Sequence, residues 1–248
     1  MAPPFLSVVL LCHNERDNLP DLLQALQTVF EHVTPVERHG EILVVDDGST
    51  DGTAEWLSTL ESRPPIRVVR HETRQGYGAA VRTGLASVTG ERVAYLDGDG
   101  QLAPKELIVM SQLMDEGGWD LVVGQREIRN DPPYRQMIGV GYNAVMRRIT
   151  GIPFRDMDCG CKLLSRHAVD SLDLRCSGNY LGAELLSKAT HAGLRIHQQP
   201  VEHRPRTRGR AKGVDLFAML MAVKELFTHW SDLRPPTRHS TDINGPSS

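Results

Sequence analysis

The sequence lacks the features that mark membrane-spanning, secreted or nucleic-acid-binding proteins. No apolar run reaches the length of about 18 residues that a membrane-spanning helix needs. The first residues lack the basic and apolar regions of a signal peptide, and the four cysteines lack the spacing of a disulfide framework. The net charge of −3 gives no general attraction to nucleic acid. These absences predict a cytoplasmic protein with reduced thiols and no nucleic-acid partner.

Short apolar segments alternate with segments of helical spacing over the first half of the chain. Between the first two apolar segments, for example, Leu19, Leu22, Leu23 and Leu26 recur at helical spacing. This alternation, with short connections, predicts an α/β fold with a mostly parallel open sheet and helices on both faces. The five predicted strands cover residues 5–11, 42–45, 66–69, 93–96 and 121–123.

The alternation loosens after Arg126. Helices are predicted over residues 134–149 and 180–189, and a late strand over residues 194–197. The length of 248 residues suits one large domain, and we expect that domain to cover residues 1–213.

The C-terminal part of the chain has a different pattern. Apolar side chains between Leu216 and Trp230 fall on one helical stripe, which predicts an amphipathic helix over residues 214–230. That helix could pack on the core, on a partner or on a membrane surface. Residues 231–248 are rich in proline, serine and threonine and are predicted to be disordered.

Polar residues follow each of the first four predicted strands. Because the carboxyl ends of parallel strands meet at one edge of a sheet, these residues should line one crevice, where a nucleotide would bind. Asp46 and Asp47 could accept hydrogen bonds from a base or a ribose, or could cap the helix that follows Thr50. The four groups are His13–Glu15, Asp46–Ser49, Arg74–Gly76 and Asp97–Asp99.

The stretch after the fourth strand is a candidate metal site. Asp97 and Asp99 are two residues apart, and Gln101 follows at the same spacing. Asp99 and Gln101 offer the hard oxygen ligands that Mg²⁺ or Mn²⁺ prefers. The alternative is a solvated polar turn in which Gly98 and Gly100 provide the backbone freedom.

Two further motifs suggest a dinucleotide-binding site and a zinc site, but neither motif is complete. The glycines at Gly76 and Gly78 suggest a dinucleotide-binding turn, but Val81 occupies the position that requires glycine or alanine, and the motif does not follow the first strand. Cys159 and Cys161 have no partner pair with which to complete a zinc site. We therefore expect neither hydride transfer nor a structural zinc.

A basic segment, residues 203–213, lies between the late strand and the amphipathic helix. It contains five arginine and lysine side chains and no acidic residue. Such a segment could be a solvated loop or a nucleic-acid patch. Next to a nucleotide crevice, it could instead stabilise the charge of a departing diphosphate.

In combination, these motifs resemble family-2 glycosyltransferases of the GT-A fold, and in particular the branch that transfers sugars to dolichyl or polyprenyl phosphate. The resemblance runs from about Ser7 to about Lys212. The nucleoside motif Val44–Thr53 and the metal motif Asp97–Gln101 match most closely, and matching loops occur in the same order.

The resemblance implies roles for individual residues. It implies that Asp99 and Gln101 ligate the metal and that Arg135, Asp156 and Asp158 lie on the acceptor side. The residues with implied catalytic roles are Asp97, Asp99, Arg126 and Arg206. The residues implied to bind the nucleotide sugar are Leu11, His13, Glu15, Val45, Asp46, Asp47, Gly76, Asp97, Gly98, Asp99, Arg126, Arg206 and Lys212.

The implied reaction is an inverting, metal-dependent transfer of a hexose to a polyprenyl phosphate, with mannose from GDP-mannose as the expected donor and Mg²⁺ or Mn²⁺ as the cofactor. A phosphate acceptor is anionic near neutral pH and needs no strong base, whereas a hydroxyl acceptor would need one, for which Asp156 and Asp158 are the candidates. One alternative is transfer from a UDP- or GDP-sugar to a soluble acceptor. Another is a nucleotide-sugar-binding subunit without catalysis. A lipid acceptor would place the protein at the inner face of a membrane or beside a membrane partner.

Overall fold

The computed structural model describes residues 2–60, 66–127 and 133–206. Seven strands and seven helices lie within these ranges. Within them, no helix is long and apolar enough to cross a membrane. The elements are β1 (Leu6–Cys12), α1 (Leu19–Val33), β2 (Gly40–Asp47), α2 (Thr53–Leu57), β3 (Ile66–His71), α3 (Tyr77–Ser87), β4 (Arg92–Asp97), α4 (Glu106–Gly117), β5 (Leu121–Arg126), α5 (Pro133–Thr150), β6 (Cys161–Ser165), α6 (Arg166–Ser171), α7 (Leu181–His191) and β7 (Ile196–Val201).

The strands form one mixed sheet in the order β3-β2-β1-β4-β6-β5-β7. Strands β1 to β4 pair in parallel, and β5 pairs in parallel with β7. Strand β6 lies antiparallel between β4 and β5. The predicted mostly parallel sheet is confirmed, and the reversed strand β6 is the feature that the alternating pattern did not predict.

Helices cover both faces of the sheet, as predicted. Strand β1 is buried along its whole length because its side chains alternate between two apolar cores. Val9 and Leu11 pack in the core formed with α3 and α7. Val8 and Leu10 point to the opposite face and pack in the core formed with α1 and α4.

The late strand begins two residues later than predicted, at Ile196 instead of Leu194. The reason is the end of α7. Gly193 adopts a left-handed backbone with φ of 73°, and the Leu194 N–H donates to the Ala189 carbonyl at 3.0 Å. Leu194 therefore completes the helix terminus and cannot pair in the sheet.

Some predicted features lie outside the described residues. These are the amphipathic helix over 214–230, the disordered tail over 231–248 and Lys212 in the basic segment. The described part of the basic segment ends at Arg206.

Candidate active site

The carboxyl ends of the first parallel strands lie side by side, as the prediction of one shared edge requires. In the sheet register, Cys12 pairs with Asp46, and Leu11 pairs with Asp97. The polar residues that follow β1, β2 and β4 therefore meet at one edge. The side chains of Leu11 and Val45 point into the apolar core, so a nucleotide at this edge would meet only their backbone.

The two adjacent aspartates have different environments. Asp47 is buried and accepts from the backbone N–H groups of Gln75 and Gly76, at 2.7 and 2.9 Å, while His71 bonds the same carboxylate at 2.8 Å. Asp47 thus holds the turn that begins α3, where Gly76 has a φ of 104°.

Asp46 leaves one oxygen available. Its Oδ1 accepts from the Ser49 N–H at 2.9 Å. Its Oδ2 is buried and has no hydrogen-bond partner among the described residues, although the Arg70 Nε lies 3.7 Å away. A buried acceptor without a donor is costly, so Asp46 is the aspartate whose chemistry suits a donor from a bound ligand.

The loop after β1 is tied to the loop after β2. The His13 Nδ1 lies 2.7 Å from the Asp47 carbonyl oxygen. Asn14 adopts a positive φ of 59°, receives the Thr50 N–H on its Oδ1 at 2.7 Å, and donates its own N–H to the Ser49 Oγ. Asn14 therefore ties the two loops together, a role that its place in the predicted group His13–Glu15 did not indicate.

Asp97 lies against a turn that only glycine permits. Its N–H donates to the Gly160 carbonyl at 3.1 Å, and a Cβ on Gly160 would overlap the Asp97 carboxylate. The nearby Tyr77 hydroxyl acts to lower the pKa of this carboxylate. Burial, together with the charge of Asp99, raises the pKa of Asp97 to about 7, although Arg126 opposes the shift. A cation beside this pair of carboxylates would relieve their repulsion.

Lys162 is a buried cation beneath this turn. Its side chain is 1% exposed, and its Nζ donates to the Cys159 carbonyl at 2.6 Å and lies 5.3 Å from the centre of the Tyr95 ring. The positive charge of Lys162 also acts to lower the pKa of Asp97. Its position on β6, the strand that the alternating pattern missed, explains why this residue was not among the candidates.

The close approach at Gly160 makes a testable prediction. In Gly160→Ala, the new methyl group must displace Asp97, and overpacking of this kind costs about 1–3 kcal/mol. We expect a lower midpoint of thermal unfolding and weaker binding of nucleotides. Gly141→Ala is the control, because a Cβ at Gly141 meets no atom within 4 Å. Nucleotide affinity that is equal in the two variants would contradict the role given to this turn.

Asp99 and Gln101 contact the last described residues of the chain. The Asp99 Oδ1 accepts from the Gln101 N–H at 3.0 Å, and the Gln101 Nε2 donates to the Arg204 carbonyl at 3.2 Å. Arg206 bonds Glu15 and lies 3.8 Å from the Asp99 Oδ2. Although Arg206 and Asn18 favour its charged form, burial raises the pKa of Glu15.

The described residues contain no cluster of three histidine, cysteine or acidic side chains that could hold a metal by itself. The oxygens of Asp99 and Gln101 nevertheless fit a hard divalent cation, which commonly takes its remaining ligands from phosphate and water. Asp99 is 21% exposed and can be reached from the crevice. These two side chains can therefore hold a cation jointly with a bound diphosphate.

Arg126 is held by Asp156 instead of pointing freely into the crevice. The Arg126 Nε and Nη2 donate to the two Asp156 oxygens at 2.7 and 2.8 Å, and the Arg126 backbone N–H donates to Oδ2 at 3.0 Å. Both side chains are at least nine-tenths buried. A carboxylate that accepts three hydrogen bonds is a poor proton acceptor, so its contacts argue against Asp156 as the base.

A cavity of about 520 Å³ opens beside this ion pair, between the end of β5 and α5. Its lining includes Arg126, Arg147 and Arg155 together with Val140. Asp158 is half-buried, and its charge adds to the effect of burial in raising the pKa of Tyr142. Arg135 lies on α5, but its side chain is outside the described part of the structure.

Comparison with known proteins gives one family and one fold. Residues 7–173 match the model of glycosyl transferase family 2. The undecaprenyl-phosphate 4-deoxy-4-formamido-L-arabinose transferase of Klebsiella pneumoniae (strain 342) is 32% identical over 208 residues, which cover 83% of this chain and 62% of that protein. This chain therefore spans less than two thirds of that curated relative.

Solved structures of glucosyl-3-phosphoglycerate synthase from Mycobacterium tuberculosis are similar over 94% of this chain. The complex with Mn²⁺, UDP and glucosyl-3-phosphoglycerate has a TM-score of 0.67 at 23% identity and is covered over 82% of its length. The complex with Mg²⁺ and UDP has a TM-score of 0.67 at 21% identity and is covered over 81%. At these identities the likeness establishes the fold.

Proposed function

We propose that this chain, which belongs to glycosyltransferase family 2, transfers a sugar from a nucleotide-sugar donor to a polyprenyl phosphate with inversion at the anomeric carbon. One observation carries the donor half of the proposal. Asp46, the pair Asp97 and Asp99, and Arg206 come from three distant parts of the sequence and meet at one edge of the sheet. They combine an unsatisfied hydrogen-bond acceptor, a carboxylate pair and a cation, which are the groups that a nucleoside diphosphate requires.

We infer one orientation of the donor from the positions of these groups. The unpartnered Asp46 Oδ2 accepts an N–H from the base or an O–H from the ribose. The diphosphate then lies toward Asp99 and Gln101, within reach of Arg206. Mg²⁺ or Mn²⁺ bound there would supply positive charge to the leaving diphosphate. Arg206 supplies a second positive charge at the same place, and both charges favour departure of the nucleoside diphosphate.

The acceptor half of the proposal is supported by the cavity beside α5. Because Asp156 is paired with Arg126, Arg147 and Arg155 outweigh Glu127 in its lining, and this positive charge suits a phosphate better than a neutral sugar hydroxyl. An anionic phosphate oxygen can attack the anomeric carbon without a strong base, which agrees with the engagement of Asp156 by Arg126. In-line attack opposite the leaving group inverts the configuration.

Helix α5 also exposes apolar side chains next to the cavity. Val140, which lines the cavity, is 68% exposed, and Met137, one turn earlier on α5, is 76% exposed. Apolar exposure beside a phosphate-binding cavity suits an acceptor that carries a hydrocarbon chain. It also supports peripheral contact with a membrane surface, and the name of the Klebsiella relative specifies undecaprenyl phosphate.

A soluble phosphorylated acceptor is the second candidate. The same arginine-lined cavity would attract it, and a similar solved structure holds phosphoglyceric acid. Comparing the masses of products formed with a short polyprenyl phosphate and with phosphoglycerate separates the two acceptors.

The donor is identified by thermal unfolding with a panel of nucleotide sugars. GDP-mannose is the expected donor from the family resemblance, and UDP-glucose is included because similar structures hold UDP. A ligand at 100 times its Kd stabilises the folded state by about 2.7 kcal/mol, which corresponds to a shift of roughly 5 °C or more. We expect one donor to produce this shift with Mn²⁺ and a smaller shift without it. Equal shifts with every donor, or none with any, would contradict the proposed site.

A further inference from the structure

Residues 202–206 form a strap that crosses the proposed metal site. Leu102 and His203 form an antiparallel bridge, and the Arg204 N–H donates to the Gln101 carbonyl at 2.8 Å. The Gln101 side chain returns a hydrogen bond to the Arg204 carbonyl at 3.2 Å. The strap is therefore attached to one proposed metal ligand through both backbone and side chain.

Arg206, at the end of the strap, reaches the other proposed ligand. Its guanidinium lies between two carboxylates, in direct contact with Glu15 through Nη2 and 3.8 Å from the Asp99 Oδ2 through Nη1. The Arg206 side chain is only 17% exposed. The contact with Glu15 is a hydrogen bond, whereas the contact with Asp99 is too long to be one.

We propose that Arg206 is a placeholder cation at Asp99, which a divalent metal displaces, and that Glu15 keeps the displaced guanidinium beside the site. This inference rests on the proposed metal and donor site. The metal replaces the contact of Arg206 with Asp99, which is weaker than its contact with Glu15. A divalent cation at Asp99 repels the guanidinium, and the diphosphate attracts it.

The exchange of Arg206 for the metal weakens the binding of metal alone and strengthens the binding of the nucleotide. Before the donor binds, Arg206 competes with the metal, so the metal binds weakly. Once a diphosphate is present, Arg206 has a new anionic partner and adds to its binding. Metal and nucleotide consequently strengthen each other's binding, a coupling that is typically about 5–150-fold in proteins.

The test measures Mn²⁺ binding to the full chain by calorimetry, first alone and then with GDP or UDP. In Arg206→Gln the competing charge is gone, and we expect Mn²⁺ alone to bind about 3–10 times more tightly, while the nucleotide with Mn²⁺ binds about tenfold more weakly. Arg204→Gln is the matched control, because that side chain is 47% exposed and pairs with Glu202, and its backbone contacts do not depend on the side chain. Arg206→Lys retains the charge, so its affinity for Mn²⁺ alone should return to that of the unaltered protein.

The outcomes separate this inference from the proposed function. If the unaltered protein binds neither GDP nor UDP with Mn²⁺, both are wrong. If it binds one of them, but Arg206→Gln binds Mn²⁺ alone no more tightly than Arg204→Gln, the exchange is wrong and the donor site stands. If neither Arg206→Gln nor Arg204→Gln binds Mn²⁺ measurably, the exchange is likewise wrong and the donor site stands.

Discussion

Replacing Asp99 with asparagine is expected to lower the rate of sugar transfer by about 10²–10³-fold, the loss that follows when one group that stabilises transition-state charge is removed. The carboxylate is one of two oxygen ligands proposed for the metal, and the amide retains the shape without the charge. Because the Asp99 Oδ1 accepts the Gln101 N–H at 3.0 Å within the loop, the amide oxygen can keep that bond. The rate should fall while the midpoint of thermal unfolding stays close to that of the unaltered protein.

The control for this prediction is Asp170→Asn. Asp170 is an exposed aspartate that pairs with Arg166 at 3.3 Å, away from the crevice. The Asp170→Asn variant should transfer sugar at the unaltered rate. That result would show that the loss of one negative charge elsewhere in the protein does not slow transfer. An Asp99→Asn enzyme that retains most of its rate at saturating metal would remove Asp99 from the catalytic site.

Replacing Asp156 with alanine is expected to lower the free energy of unfolding by about 3–5 kcal/mol, because it leaves the Arg126 charge buried without its partner. The two side chains are 10% and 7% exposed and share two hydrogen bonds. Chemical denaturation measures the change. Asp170→Asn serves again for comparison, since an exposed pair contributes about 0–1 kcal/mol.

A double variant tests the cause of that loss. Arg126→Met combined with Asp156→Leu removes both charges and keeps apolar volume, so stability should recover in large part relative to Asp156→Ala. Transfer should not recover, because Arg126 lines the cavity proposed for the acceptor. Equal instability of the single and double variants would show that packing, and not the unpaired charge, sets the cost.

The layout of the crevice could be predicted from the sequence because it depends on local patterns. Apolar segments that end in Asp46 and Asp97 predict strands, and parallel strands bring their carboxyl ends together whatever the details of the loops. The position of Asp99 next to that edge follows from the same rule. The described start of the basic segment also lies there, with Arg206 3.8 Å from Asp99.

The different roles of adjacent polar residues could not be predicted from the sequence, because those roles depend on contacts with residues that are distant in the chain. Asp46 and Asp47 are indistinguishable in sequence. Only the structure shows that the Asp47 carboxylate accepts the backbone N–H groups of Gln75 and Gly76. Asp156 lies 30 residues from Arg126, and their pairing depends on the placement of α5 between them.

Strand β6 was missed for a related reason. It follows an irregular glycine-containing segment and has only five residues. Its antiparallel position between β4 and β5 is set by the sheet as a whole. That position is what brings Gly160 and Lys162 beneath Asp97, and no local pattern indicates it.

The most direct test of the proposed reaction incubates the protein with a nucleotide sugar, Mn²⁺ and a short polyprenyl phosphate, and measures the mass and anomeric configuration of the product. We predict a glycosyl polyprenyl phosphate of inverted configuration, formed with Mn²⁺ and lost on chelation. Transfer that persists fully under chelation, a product with retained configuration, or no lipid product from any donor that stabilises the protein would contradict the proposal.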